Sequence, residues 1–162
     1  MPAETRFIAD VMLGKLATWL RLLGCDVEYF PKISDKDLVG TASRTGRVIL
    51  TRDTELIRRR EARGNHYFVR GNDFRDQIRQ VVERFSIVPF DRVMTRCLRC
   101  NETLLAIDRS GVRDRVPPYV YETHHDFKTC GRCFRVYWMG THRDKALAEV
   151  RDIFGLQVHS KD

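Results

Sequence analysis

FIADVMLGKLATWLRLLG, residues 7–24, changes its hydrophobic period within a few residues. Phe7, Ile8 and Ala9 form a short unbroken apolar run, the pattern of a strand covered on both faces. After Asp10 the spacing becomes helical, with Leu13, Leu16, Leu20 and Leu23 on one side. Gly24 stands where a helix C-cap belongs. A strand that passes directly into a helix is the first half of a βαβ unit.

The same alternation continues outward. Residues 27–30 read as a second strand, and Ser34-Asp35-Lys36-Asp37 opens a helix that runs to about residue 44 and stops at Gly46. Residues 47–50 (RVIL) predict a third strand, followed by Thr51-Arg52-Asp53. A very basic helix is expected over 54–63, then a fourth strand over 66–69 and a helix over about 75–85 that buries Ile78, Val81, Val82 and Phe85. Ile87-Val88 leave room for a fifth strand. Strands alternating with helices predict an α/β fold with a parallel sheet and right-handed crossovers. Composition changes after Pro89, so domains are expected over residues 1–90 and 91–162, the second ending in a helix.

Of five cysteines, Cys25 is isolated; the others form Cys97-Leu98-Arg99-Cys100 and Cys130-Gly131-Arg132-Cys133. Two CxxC turns complete a closed tetrahedral zinc site. Four thiolates leave no open position, so this Zn²⁺ is expected to be structural, a staple for a segment with little core of its own. Redox CxxC motifs come singly at a helix start, which disfavours a dithiol reading. His124, His125 and His142 are not needed as ligands. Between the knuckles the chain reads as polar and turn-rich, with Pro117-Pro118, and residues 134–138 (FRVYW) read as a strand. Cys25 is expected to be a small core residue.

Asp10, Asp53 and Asp73 each follow a predicted strand, and Asp35 opens the helix after the second. In a parallel sheet these positions share the carboxyl edge, where open α/β folds hold their ligands. Carboxylates gathered there repel one another unless a cation lies between them, and hard oxygen ligands favour Mg²⁺ or Mn²⁺. Each position also suits a helix N-cap, so spacing alone leaves both readings open. A receiver domain is disfavoured, because Ala9 stands where its acidic pair is required.

The formal net charge is +7, and arginine outnumbers lysine 23 to 6. Arginine's planar fork suits phosphate, so nucleic acid is a compatible partner. Lys15 and Arg52 lie close in sequence to proposed ligands and are candidates for the scissile phosphate. Arg58-Arg59-Arg60 with Arg63 reads either as a track for an RNA backbone or as a solvated face. Trp19, Tyr137 and Trp138 are weighed as base-stacking residues, with core packing the better reading. The apolar stretch 11–23 is too short to span a bilayer and is interrupted by Lys15 and Arg21. The opening MPAETRFIAD lacks the pattern of a signal peptide. A soluble cytoplasmic protein with no membrane association is the expectation.

In their order and combination these motifs resemble the PIN-like family named after the C-terminal domain of the Mut-seven exonuclease. The resemblance rests on FIADVMLGKLATWLRLLG, SDKDL, GRVILTRDTEL, CLRCNETLL, VPPYVYE and CGRCFRVYWMGTH, which span most of residues 6–142. It implies a PIN-like three-layer α/β/α fold with a parallel sheet, followed by a small C-terminal zinc ribbon. It also implies a divalent-metal-dependent endoribonuclease acting on RNA. Carried over residue by residue, the catalytic set is Asp10, Asp35, Asp53 and Asp73, with Mg²⁺ or Mn²⁺ at Asp10 and Asp53. Asp37 competes with Asp35, and Asn72 and Asp76 flank Asp73. Lys15, Arg52, Arg58 and Arg59 are the expected substrate contacts, and Cys97, Cys100, Cys130 and Cys133 hold the zinc. The family's habit of dimerising makes a homodimer an expectation that no motif here supports, and no protein partner is indicated. The rival reading is a non-catalytic RNA- or ribonucleoprotein-binding module, its aspartates serving as caps.

Overall fold

The computed structural model describes residues 4–156, which fall into two units divided between Asn101 and Glu102. The first unit contains β1 (Phe7–Ala9), α1 (Gly14–Leu22), β2 (Val27–Tyr29), α2 (Asp35–Thr45), β3 (Val48–Thr51), α3 (Thr54–Ile57), β4 (His66–Phe68) and α4 (Phe74–Arg84). All its strand pairs are parallel, in the order β2-β1-β3-β4. Among the described residues no fifth strand joins this sheet. After α4 the chain turns away at Ser86, in the left-handed region at φ 54°.

The crossovers β1–α1–β2 and β2–α2–β3 travel in opposite directions across the sheet, so equal handedness sends their helices to opposite faces. On one face Ile8 and Ile49 pack with Leu38, Val39 and Ala42 of α2 and with Leu56 and Ala62. Strand alternation turns Phe7 and Leu50 the other way, and the Phe7 ring meets Phe85 edge-on at 4.9 Å. There α1 packs on α4, with Trp19 stacked on Phe74 at 5.2 Å. Ser34 caps α2 by accepting the Asp37 N–H at 3.1 Å, and Gly46 ends it at φ 69°.

The basic helix expected over 54–63 is not continuous. After α3 the chain is extended at Arg59 and resumes as a 3₁₀ turn, Arg60–Ala62. Leu56 and Ala62 explain the break. They lie six residues apart, which an unbroken helix would rotate about 240° from one another. Both are buried in the same cluster, which the break permits.

β2 is an edge strand, and Val27 finds side-chain partners instead of another strand. Asn101 Oδ1 accepts the Val27 N–H at 2.9 Å, and Arg21 Nε donates to the Val27 carbonyl at 2.8 Å. Arg21 also donates to the carbonyls of Leu98 and Arg99. Asn101 Nδ2 and Arg47 Nη1 both donate to Asp26 Oδ1 at 2.7 Å. These bonds tie the Cys97-Leu98-Arg99-Cys100 turn to α1 and β2. The compact unit that contains them runs to Asn101.

The second unit contains β5 (Leu104–Ile107), α5 (Pro118–Thr123), β6 (Phe127–Cys130), β7 (Val136–Trp138) and α6 (Thr141–Ile153). Its strands are antiparallel in the order β5-β6-β7. Val112, Val116, Val120 and Phe127 form its core, with Ile107, Tyr121, Val136 and Trp138 against them. The stretch read as polar and turn-rich supplies two strands and a helix, the helix begun by Pro118 at the position where its missing N–H is not needed. Among the described residues no helix is long and apolar enough to cross a membrane.

Burial alone would raise the Asp26 carboxyl, but the hydrogen bonds from Arg47 and Asn101 and the charges of Arg47 and Arg96 outweigh it and hold it below its ordinary 3.8. A carboxyl depressed on folding stabilises fully above its unfolded value and loses that contribution as pH falls through the folded one. Asp26→Asn is therefore expected to lower stability by about 2 kcal/mol at pH 7. Urea unfolding of variant and wild type should show that gap closing as the pH drops below 3.8.

Candidate functional site

The order β2-β1-β3-β4 reverses direction between β1 and β3, so the crevice that such a reversal opens lies at the carboxyl ends of these two strands. Asp10 immediately follows β1, and Asp53 follows β3 after Arg52. Asp10 is buried, at 5% exposure. Its Oδ1 accepts the Met12 N–H at 2.8 Å, and its Oδ2 accepts the Thr51 hydroxyl and the Arg52 N–H, the latter at 3.1 Å. The Thr51 hydroxyl in turn accepts the Asp53 N–H at 2.9 Å. One fully buried hydroxyl thus links the two acidic positions. Thr51 was not among the residues nominated from sequence. Its signal was a hydroxyl closing the apolar run RVIL.

Asp53 Oδ1 caps α3 by accepting the N–H groups of Glu55 at 2.8 Å and Leu56 at 3.4 Å. Its Oδ2 receives no hydrogen bond from a described residue. Asp73 caps α4, accepting the Arg75 N–H at 2.8 Å, and is exposed. Asp35 caps nothing; it is the first residue of α2 and lies 3.8 Å from the Arg59 guanidinium. Its competitor Asp37 is exposed, and Asp76 pairs with Arg79 at 2.8 Å. Asp10 and Asp53 are therefore linked through Thr51, the second by its backbone N–H, while no three of these carboxylates converge within 4.8 Å.

The four nominated cations differ in surroundings. Lys15 Nζ sits 4.0 Å from the centre of the Phe74 ring, a cation–π contact at the start of α4. Arg52 is half-buried beside Asp10, to which its own N–H is bonded. Arg58 is exposed and pairs with Glu55 at 3.1 Å, and Arg59 is near Asp35. Of the aromatic rings weighed for base stacking, Tyr137 is buried and Trp19 is committed to Phe74.

The cysteines form the tightest cluster. The ligand atoms of Cys97, Cys100, Cys130 and Cys133 all lie within 4.8 Å of one another, and among the described residues no other group of three or more Cys, His, Asp or Glu does so. Backbone amides turn toward the sulfurs: Cys100 N–H donates to Cys97 Sγ at 3.3 Å, and the Arg132 and Cys133 amides donate to Cys130 Sγ at 3.4 and 3.5 Å. Four soft ligands with supported sulfurs fit Zn²⁺. His124, His125 and His142 stand outside the cluster. Cys25 is separate, and burial pushes its thiol up to about 12, which makes it inert.

A family model described as the Mut7-C RNAse domain matches residues 5–150. The chain belongs to this family. The match includes the Asp10–Asp53 edge and all four clustered cysteines of this Mut7-C chain, and the family name carries a ribonuclease-related role. Comparison with curated proteins and with solved structures finds no match.

In the zinc-loaded native protein all five cysteines are expected to resist a thiol reagent, four through the metal and Cys25 through burial. Adding a zinc chelator should expose four fast-reacting thiols, and denaturant the fifth. Rapid labelling of Cys97 or Cys130 without a chelator would contradict a closed tetrathiolate site.

Proposed function

We propose that the chain is a divalent-metal-dependent endoribonuclease with its catalytic centre at Asp10 and Asp53. The supporting observation is the linkage of these two residues through the Thr51 hydroxyl, at the ends of adjacent parallel strands. A PIN-like three-layer arrangement accords with helices on both faces of the parallel sheet. RNA as partner and a cytoplasmic location belong to the same reading.

The donor set suits Mg²⁺ or Mn²⁺, since it is made of hard carboxylate oxygens and the Asp53 Oδ2 is left over from capping. Asp10 and Asp53 would hold the ion, with Asp35 and Asp73 as additional acids at the same edge. When bound, the ion supplies Lewis-acid stabilisation of phosphate charge and acidifies an attacking water. Thr51, together with the Met12 and Arg52 amides, fixes the Asp10 carboxylate before substrate arrives. This is the preorganisation on which electrostatic catalysis depends. Arg52 and Lys15 are available to bind the phosphate, and Arg58 and Arg59 to attract the flanking backbone.

Purified protein is expected to cleave single-stranded RNA with Mn²⁺ in the buffer. Asp10→Asn and Asp53→Asn should each reduce the rate at least about 100-fold, with the fold and zinc content retained and stability lowered at Asp10, where an amide cannot accept all three bonds. Thr51→Val should reduce it about 10-fold by leaving Asp10 less firmly held. Cleavage by the two asparagine variants at the wild-type rate would remove the assignment. The second reading, a non-catalytic RNA-binding module, draws on the capping bonds of Asp10, Asp53 and Asp73. It predicts salt-sensitive RNA binding without cleavage in any divalent ion.

A further inference from the structure

The residue after the second cysteine of each knuckle is left-handed: Asn101 at φ 69° and Phe134 at φ 60°. Both are placed by the same bond, an N–H donated to the carbonyl of the knuckle's first cysteine at 2.9 Å. The turn thus demands positive φ at this position, which asparagine tolerates and a bulky aromatic residue does not. Asn101 is buried and repays its conformation with hydrogen bonds to Val27 and Asp26. The Phe134 side chain does the reverse. It is 68% exposed, although its backbone carbonyl is fixed by a hydrogen bond from Arg115 Nη2.

A strained backbone that displays an apolar ring to water gains nothing for folding, so the ring points to a ligand. The surroundings specify its charge. Arg132 and Arg135 flank Phe134 in sequence, Arg115 is bonded to it, and all three are exposed. Arg132 pairs only loosely, with Glu102 3.9 Å away at the surface. An exposed apolar ring with exposed arginines on either side of it in sequence, and a third bonded to its carbonyl, matches a base stacked on the ring with its phosphates held by the arginines.

We infer that Phe134 is a base-stacking site for single-stranded RNA, with Arg115, Arg132 and Arg135 binding the adjoining phosphates. This deepens the ribonuclease reading and rests on it. The ribbon would hold a nucleotide of the substrate, and the Asp10–Asp53 edge would perform the chemistry.

Phe134→Asn tests the site, because it copies Asn101, keeps the left-handed turn and removes only the ring. Full-length zinc-loaded protein carrying Asp10→Asn, to prevent cleavage, is titrated with a fluorescein-labelled oligouridylate and with a single-stranded RNA containing 2-aminopurine. Adding Phe134→Asn should weaken binding by roughly 5- to 150-fold, the range that loss of one stacked base produces. It should also abolish the 2-aminopurine quench. Zinc content should be unchanged and thermal stability equal or higher. In the otherwise wild-type chain, Phe134→Asn should slow cleavage of the long RNA at low concentration. Undiminished affinity and quench in a protein that cleaves RNA would overturn the stacking site alone, and would indicate that the ring serves a protein surface. Failure of the wild-type chain to bind or cleave any RNA would overturn the parent reading as well.

Discussion

Parallel strands cannot be joined by a hairpin, so each connection in the first unit must cross the sheet through a helix. With every crossover of one hand, β1 acquires β2 on one side and β3 on the other. That geometry makes Asp10 and Asp53 neighbours although more than forty positions separate them. The Thr51 hydroxyl then completes the arrangement, donating to one acid and accepting from the backbone of the other. The deep packing of Phe7, Ile8 and Ala9 fixes the strand from which Asp10 emerges.

The alternatives posed by the aspartates, cap or metal ligand, are not exclusive. A carboxylate has two oxygens and about four lone-pair sites. Asp53 spends one oxygen on the first turn of α3 and keeps the other. Asp10 uses both, Oδ2 for two bonds and Oδ1 for one, so the group is oriented while a lone pair remains on Oδ1. Capping can therefore be the means by which an acid is held at the carboxyl edge. Asp73 caps in the same manner from an exposed position, whereas Asp35 is free of the cap because Ser34 performs that task.

The two knuckles show one backbone geometry put to two uses. At the first, Asn101 and its neighbours seal the edge of β2, where an unpaired strand would otherwise present Val27 to solvent or to another chain. Asp26 anchors this seal with a carboxylate whose charge is sustained by Arg47, Asn101 and Arg96. At the second, the equivalent position carries a phenylalanine and contributes no such bonds.

Much of the first unit could be read from local pattern. The change of period at Asp10, the cap signals at Ser34 and Gly46 and the apolar run RVIL are properties of neighbouring residues. Strand and helix assignments near them needed no knowledge of the rest of the chain. The cysteine quartet was equally legible, since CxxC spacing fixes the knuckle geometry through bonds within a few residues. The interruption after α3 was not, because it depends on Leu56 and Ala62 sharing a core contributed by α2, β1 and β3. The strands and helix between the knuckles were missed because each is short and half-exposed, so its periodicity is weak. The sequence by itself determined which residues are acids at strand ends and which are paired thiols. Only the tertiary structure decided that Asp10 and Asp53 adjoin through Thr51, that Asn101 is spent on an edge strand, and that Phe134 rather than Trp19 or Tyr137 faces water. Those outcomes depend on strand order and on burial against distant segments, and no local window of sequence contains either.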